Sequence, residues 1–233
     1  MIRVTTNPLT PQPTAHLPTP RTRLTHAWRK AAQCGAACVA LTLGACTLLP
    51  APQALQTYAL PTFMAPVPSA SSTAWSLRVN TPSTTTPLDS HQVIVQHANA
   101  SLASYSGIRW ADRAPMLLRD RLTQYLSDSG LFTAVVSDHD SILPTDAQLS
   151  ITLRSFQLIH TQARADVHIR MEAQLIDARG PRLIAHHAFA HMYTVEDPTD
   201  PDAVIAAFGH TVDALAAALN AWMALLVPGN NTP

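Results

Sequence analysis

The sequence predicts an α+β domain: a twisted, mainly antiparallel β-sheet with two α-helices packed on one face. Three observations carry this. Apolar and polar residues alternate through Leu149, Ile151 and Leu153, and again through Val167, Ile169, Met171, Ala173 and Leu175. A period of two marks strands with one face buried and one face wet. Ile205, Phe208, Val212, Leu215, Leu219, Trp222 and Leu226 repeat at spacings of three and four, an apolar stripe along one long helix. A shorter stripe of Leu118, Leu122, Tyr125 and Leu126 marks a second helix. Long strands in succession with only two helices describe a sheet covered on one side.

Taken in order, residues 1–45 read as an export signal. They hold Arg3, Arg21, Arg23, Arg29 and Lys30 and no acid. A basic region followed by an apolar run and small residues has the layout of a signal peptide. The run from Ala31 to Ala45 is too short to span a bilayer, which takes about 20 apolar residues, and Pro50 and Pro52 close it. Leu43-Gly44-Ala45-Cys46 resembles a bacterial lipobox, which implies cleavage after Ala45 and acylation of Cys46. Two or more acyl chains are what hold such a cysteine in a membrane, since each buried methylene adds about 0.8 kcal/mol. Cys34 and Cys38 would leave with the signal, so Cys46 has no disulfide partner. Thr47 rather than Asp follows the cysteine, which by resemblance to lipoprotein sorting rules implies the outer membrane, with the domain facing the periplasm.

Residues 46–73 are rich in Pro, Ala, Ser and Thr, the composition of an extended spacer at about 3.1 Å per residue. The domain proper is expected over 74–227, with a frayed tail at 228–233. Trp75–Asn80 and His91–His97 read as strands separated by a Pro/Ser/Thr loop. The first helix has Asp112 as its cap, Pro115 in the first turn and Gly130 just past the end, where a left-handed residue is wanted. Leu131–Val136 reads as a strand and Asp138–Asp146 as a polar loop. Three strands of a meander follow, the last from Arg182 to Thr194. Asp200 caps the final helix, Pro201 takes its first position and Asp202 complements its dipole.

Composition narrows function. From Cys46 onward the chain carries ten arginines, fifteen acids and no lysine. That excludes the clustered basic face that nucleic acid requires. Adjacent His186 and His187 point to opposite faces of a strand. His187 and His191 share a face but lie about 13 Å apart, too far for one metal ion. Ser101–Gly107 lacks the paired glycines of a nucleophile elbow, and Ser137–Ser141 lacks calcium-loop spacing. With the one remaining cysteine acylated, thiol catalysis is out as well. The chain therefore reads as a non-enzyme without cofactor or metal. Two surfaces remain of interest. Tyr105–Pro115 concentrates Tyr105, Arg109, Trp110 and Asp112 ahead of a helix, serving either packing or partner contact. The final helix presents Ala206, Ala217, Ala221 and Ala224 opposite its stripe, where a partner or another copy of the chain can approach closely.

Together the lipobox, "YAL" at 58–60, Leu88-Asp89, "YSGIRWADRAPMLLRDRL", "SGLFTAVV" and "LRSFQ" resemble the ABC-type transport auxiliary lipoproteins, the PqiC-like family. The likeness runs from Tyr58 to Trp222, and Arg109-Trp110-Ala111-Asp112 is its most specific part. Ser90 stands where Leu-Asp-Arg is more usual. The resemblance implies a catalytically inert lipoprotein that works with an MCE-domain protein and an ABC permease and ATPase. Such systems move phospholipids or other hydrophobic molecules between membranes and support envelope integrity. An alternative expectation is a lipoprotein that itself carries a lipid or glycolipid, similar to those that assist lipopolysaccharide assembly.

Overall fold

The computed structural model describes residues 55–62, 64–66, 68, 72–180 and 182–228. The leader, Ala45, Cys46 and the tail after Pro228 lie outside the described residues. The elements in chain order are β1 Gln56–Tyr58, β2 Ser76–Val79, β3 Ile94–His97, β4 Leu102–Ser104 and β5 Ile108–Trp110. Then come α1 Ala114–Asp128, β6 Ala134–Ser137, β7 Ala147–His160, β8 Ala165–Asp177, β9 Arg182–Val195 and α2 Pro201–Ala224.

The expected mainly antiparallel sheet with two helices is present, and β7 is its spine. Along one edge β7 pairs antiparallel with β8 from end to end, and β8 pairs the same way with β9. Its other edge is shared. β2 pairs with it in parallel over Ala147–Leu149, and β3 does so over Gln157–His160. β6 extends the first flank in parallel and β4 the second antiparallel. A bulge between Leu153 and Ser155 lets Leu149, Ile151 and Leu153 and then Phe156 and Leu158 all turn inward. Without that extra residue the second group would face solvent.

Both helices cover the inward face. α1 buries Leu118, Leu122, Tyr125 and Leu126, the stripe the sequence predicts. Its cap is Arg113, not Asp112. Asp112 lies one residue earlier, and its carboxylate accepts the Arg113 N–H at 2.7 Å. Pro115 shifts the start: with no N–H to donate, it fits the first turn, and the chain enters the helix at Ala114. Gly130 follows the helix at φ +67°, a conformation that glycine adopts without steric cost. α2 is capped by Asp200, whose carboxylate accepts the Asp202 N–H at 3.0 Å. It is long and apolar enough to cross a membrane, but most of it is buried within the fold.

The predicted strand at Leu131–Val136 begins only at Ala134. Leu131 and Phe132 instead drop into the core from the connection. β4 and β5 fall in Ser101–Asp112, where three-residue strands are too short to show a period. The largest difference lies at the N-terminal side. Residues 56–58, expected within the free spacer 46–73, form β1 and pair in parallel with β5. Tyr58 donates its hydroxyl to Asp202 at 2.6 Å, and Met64 N–H donates to Asp213 at 2.9 Å. This stretch is a strap held against both helices rather than a spacer.

Candidate interaction surfaces

The four residues singled out before α1 are dispersed by the fold. Trp110 is fully buried, and its ring meets Phe156 and Phe208 edge-on at 5.9 and 5.2 Å between centroids. Phe156 and Phe208 lie 5.0 Å apart, so the three rings join β5, β7 and α2. Edge-to-face pairs of this kind add about 0.5–1.5 kcal/mol each beyond the area they bury. Arg109 points outward, and its Nε donates to Thr57 Oγ1 at 3.1 Å, tying β5 to the strap. Tyr105 donates its hydroxyl to the Pro198 carbonyl at 2.9 Å. Burial, with Asp200 and Asp197 nearby, raises its pKa. Asp112 closes the loop before α1. In Leu88-Asp89-Ser90, Leu88 is buried and Asp89 pairs with Arg113 at 2.9 Å. These residues hold the entry to α1, and together they make no catalytic constellation.

A buried ion pair fastens the strap. Arg121 Nε lies 2.6 Å from an oxygen of Asp213, with both side chains almost wholly buried. Asp213 also accepts the Met64 N–H, and Arg121 donates to the Met64 carbonyl at 3.4 Å. One charge pair thus joins α1, α2 and the incoming chain. Sequence patterns did not reveal it, because Asp213 sits alone inside an apolar helical stripe and Arg121 is one of the charged run Arg119-Asp120-Arg121.

An uncharged surface is built by β9 and α2. Among the described residues β9 pairs only with β8, leaving the other edge of a 14-residue strand open. No Asp, Glu, Lys or Arg occurs from Leu183 to Thr194, and from Ala203 to Val227 the only one is the buried Asp213. Leu183, Met192, Tyr193 and Leu225 are exposed there. His187 stacks on Trp222, Phe189 meets the same ring edge-on, and Tyr193 stacks on His210 at 5.0 Å, so strand and helix form one continuous face. Ala206, Ala217 and Ala224 are half-buried beside it and Ala221 is exposed. Native edge strands are normally guarded by charge, proline or a bulge. From Ala185 to Val195 this one has none of these. Among the described residues no cluster of three or more His, Cys, Asp or Glu side chains is placed to hold a metal ion.

Comparison with known proteins follows the same line. The family model described as the ABC-type transport auxiliary lipoprotein component matches residues 58–220. Among solved structures, the chain is similar to protein XCC0632 from Xanthomonas campestris, assigned to the DUF330 family. Identity is 27% and the TM-score 0.67, over 73% of this chain and 95% of that one. A second structure, of an uncharacterized protein, matches at 17% identity and TM-score 0.58, covering 72% of this chain and 98% of that one. That likeness concerns the fold. No curated protein matches by sequence.

Proposed function

The chain belongs to the family of ABC-type transport auxiliary lipoprotein components, and on that premise we propose that it is a non-catalytic docking subunit of an MCE-type transporter moving phospholipid or another hydrophobic molecule across the envelope. Acylated Cys46 fixes it to the outer membrane, and the domain faces the periplasm. The observation that carries docking is the β9–α2 face: an open strand edge with no Asp, Glu, Lys or Arg from Leu183 to Thr194, beside a helix surface whose one such residue from Ala203 to Val227 is the buried Asp213. An unpaired edge asks for a strand, and a charge-free face meets its like without desolvating ions. Copies of the chain associate through this edge, and the assembly meets the MCE-domain protein.

Photo-crosslinkers at Ala190 and Ala217, introduced in living cells, test this. The expected product has twice the mass of the chain, and Tyr193→Lys abolishes it by placing a charge where the strand meets the helix. A crosslink to a transporter component alone keeps docking but removes self-association. A chain that crosslinks to nothing at either position overturns the proposal.

A further inference from the structure

The face built by β9 and α2 lacks Asp, Glu, Lys and Arg apart from buried Asp213, yet it carries histidines. His186, His187 and His191 are exposed on β9, and His210 is half-buried on α2. Three of the four belong to the side of the strand that α2 covers. His187 stacks on Trp222 with ring centroids 6.0 Å apart, and His210 stacks on Tyr193. His191 stands two positions from Tyr193 on the same side of β9, opposite buried Ile169 of β8. Histidine is the side chain whose ordinary charge change falls between about pH 5 and 8. A face that is uncharged at neutral pH therefore becomes cationic in mild acid.

Little stands near these three rings to balance that charge. β8 presents Ala173 to His187 and Ile169 to His191, and α2 presents Trp222 to His187. Glu196 lines the same cleft as His210 and is the one carboxylate in its described lining. Asp213 lies three positions from His210 but is buried and paired with Arg121. His186 differs. It lies on the other side of the strand, opposite Gln174, where Glu172 interacts with it and with Arg170 while salt-bridged to Arg154. That outer side holds both signs of charge already, so the uncompensated rings are His187, His191 and His210.

Pairing between copies multiplies them. The far border of the sheet ends in β4 and β6, strands of three and four residues, whereas β9 offers an open edge of 14. Among the described strands, the open edge that matches β9 in length is β9 of a second copy. Antiparallel self-pairing of Ala185–Val195 returns His187 and His191 of each chain to the same stretch of the other. Four strand imidazoles then share one seam, with a His210 towards either end. Like charges on facing strands destabilise a pair, and their juxtaposition across an interface is costly.

Resting on the docking reading above, we propose that this seam is an acid-labile switch. Copies hold together while His187, His191 and His210 are neutral, and they separate when these rings take up protons from the medium. The direction follows from linkage: protons bind the separated faces more readily than the joined ones, so lower pH draws the chains apart. Tyr193→Lys imitates the protonated face at every pH, because its charge is fixed.

The test uses the full chain in living cells, with the photo-crosslinker at Ala190, in media buffered at about pH 7.5 and about pH 5.5. The crosslinked pair is expected to fall at least about tenfold at the lower pH. His187→Gln with His191→Gln and His210→Gln keeps neutral polar groups at these positions and removes most of that fall. His191→Gln alone, at an exposed position, removes part of it. His160→Gln, away from the face, leaves the fall in place. Circular dichroism of the purified chain at both pH values separates dissociation from unfolding. An unfolded spectrum at the lower pH overturns the proposal, because the loss then belongs to the fold. So does an unchanged fall in both the triple and the single glutamine variants. A pair that forms equally at both pH values overturns the switch and leaves docking standing. No pair at neutral pH is failure of the docking reading itself, and the switch falls with it.

Discussion

At the scale of single residues, two side chains carry quantitative consequences. Asp213 is wholly buried, paired with Arg121 and bonded to the strap at Met64. Removing one member of a buried pair strands the other charge, which typically costs about 3–5 kcal/mol. Asp213→Ala is therefore expected to lower unfolding free energy by that order in denaturant titrations. Replacing both partners with apolar residues should restore much of it. His168 acts differently. It stands on the outer face of β8, opposite Gln157 and Met192. Its pKa is depressed by partial burial and by the nearby Arg170, against the weaker pull of Asp166. A histidine whose folded value lies below its unfolded one binds a proton more readily when unfolded. It supplies stability above the unfolded value, and that stability is lost as pH falls through the folded value. His168→Gln should flatten the loss of melting temperature on going from neutral to mildly acidic buffer. An unchanged pH profile would show that His168 plays no part in it.

At the scale of elements, legibility followed length. β8 and α2 announce themselves, because nine or more residues of a fixed period outweigh local exceptions, while β7 shows its period through Leu149, Ile151 and Leu153 before the bulge breaks it. β1, β4 and β5 are three residues each, and their pairing is decided by distant backbone rather than by their own side chains. The parallel ladders of β2 and β3 on β7 were hidden for the same reason. Only the fold brings Leu77 to Ala147 or Val95 to Leu158. The candidate surfaces divide similarly. The alanine face of α2 is visible in the sequence, whereas the open edge of β9 is known only once its neighbours are. The neighbouring imidazoles of His97 and His160 likewise come from strands far apart in the chain. The strap is the element with the clearest test. Gln56 and Ala111 N–H groups donate to Gly107 and Tyr58 carbonyls, and the Tyr58 phenol, held by Asp202, has its pKa pushed up to about 12. Both amides should be protected in hydrogen exchange. Gln56→Pro removes the first donor at a cost of about 0.5–1.5 kcal/mol and should expose the strap to proteolysis. Equal exchange in both proteins would mean that β1 is not held.

At the scale of the whole molecule, the strap changes how far the domain stands from a membrane on the proposed anchoring at Cys46. A spacer running from residue 46 to 73 would reach roughly 87 Å at about 3.1 Å per residue. With the chain fastened from Gln56 onward, only the positions between Cys46 and Leu55 are left to extend, about 30 Å at most. On the proposed anchoring at Cys46, the described domain begins within that reach of the bilayer. That places the burden on one thiol. On the proposed lipobox reading, lipid transfer to residue 46 and the cut after Ala45 both act on this cysteine, and both fail without it. Cys46→Ser is accordingly expected to leave a full-length precursor, unacylated and held in the inner membrane by its leader. Mass spectrometry and membrane fractionation read this directly. Recovery of the Cys46→Ser chain as a shortened, freely soluble periplasmic protein would show that an ordinary signal peptidase site operates here, and the short-leash geometry would lose its anchor.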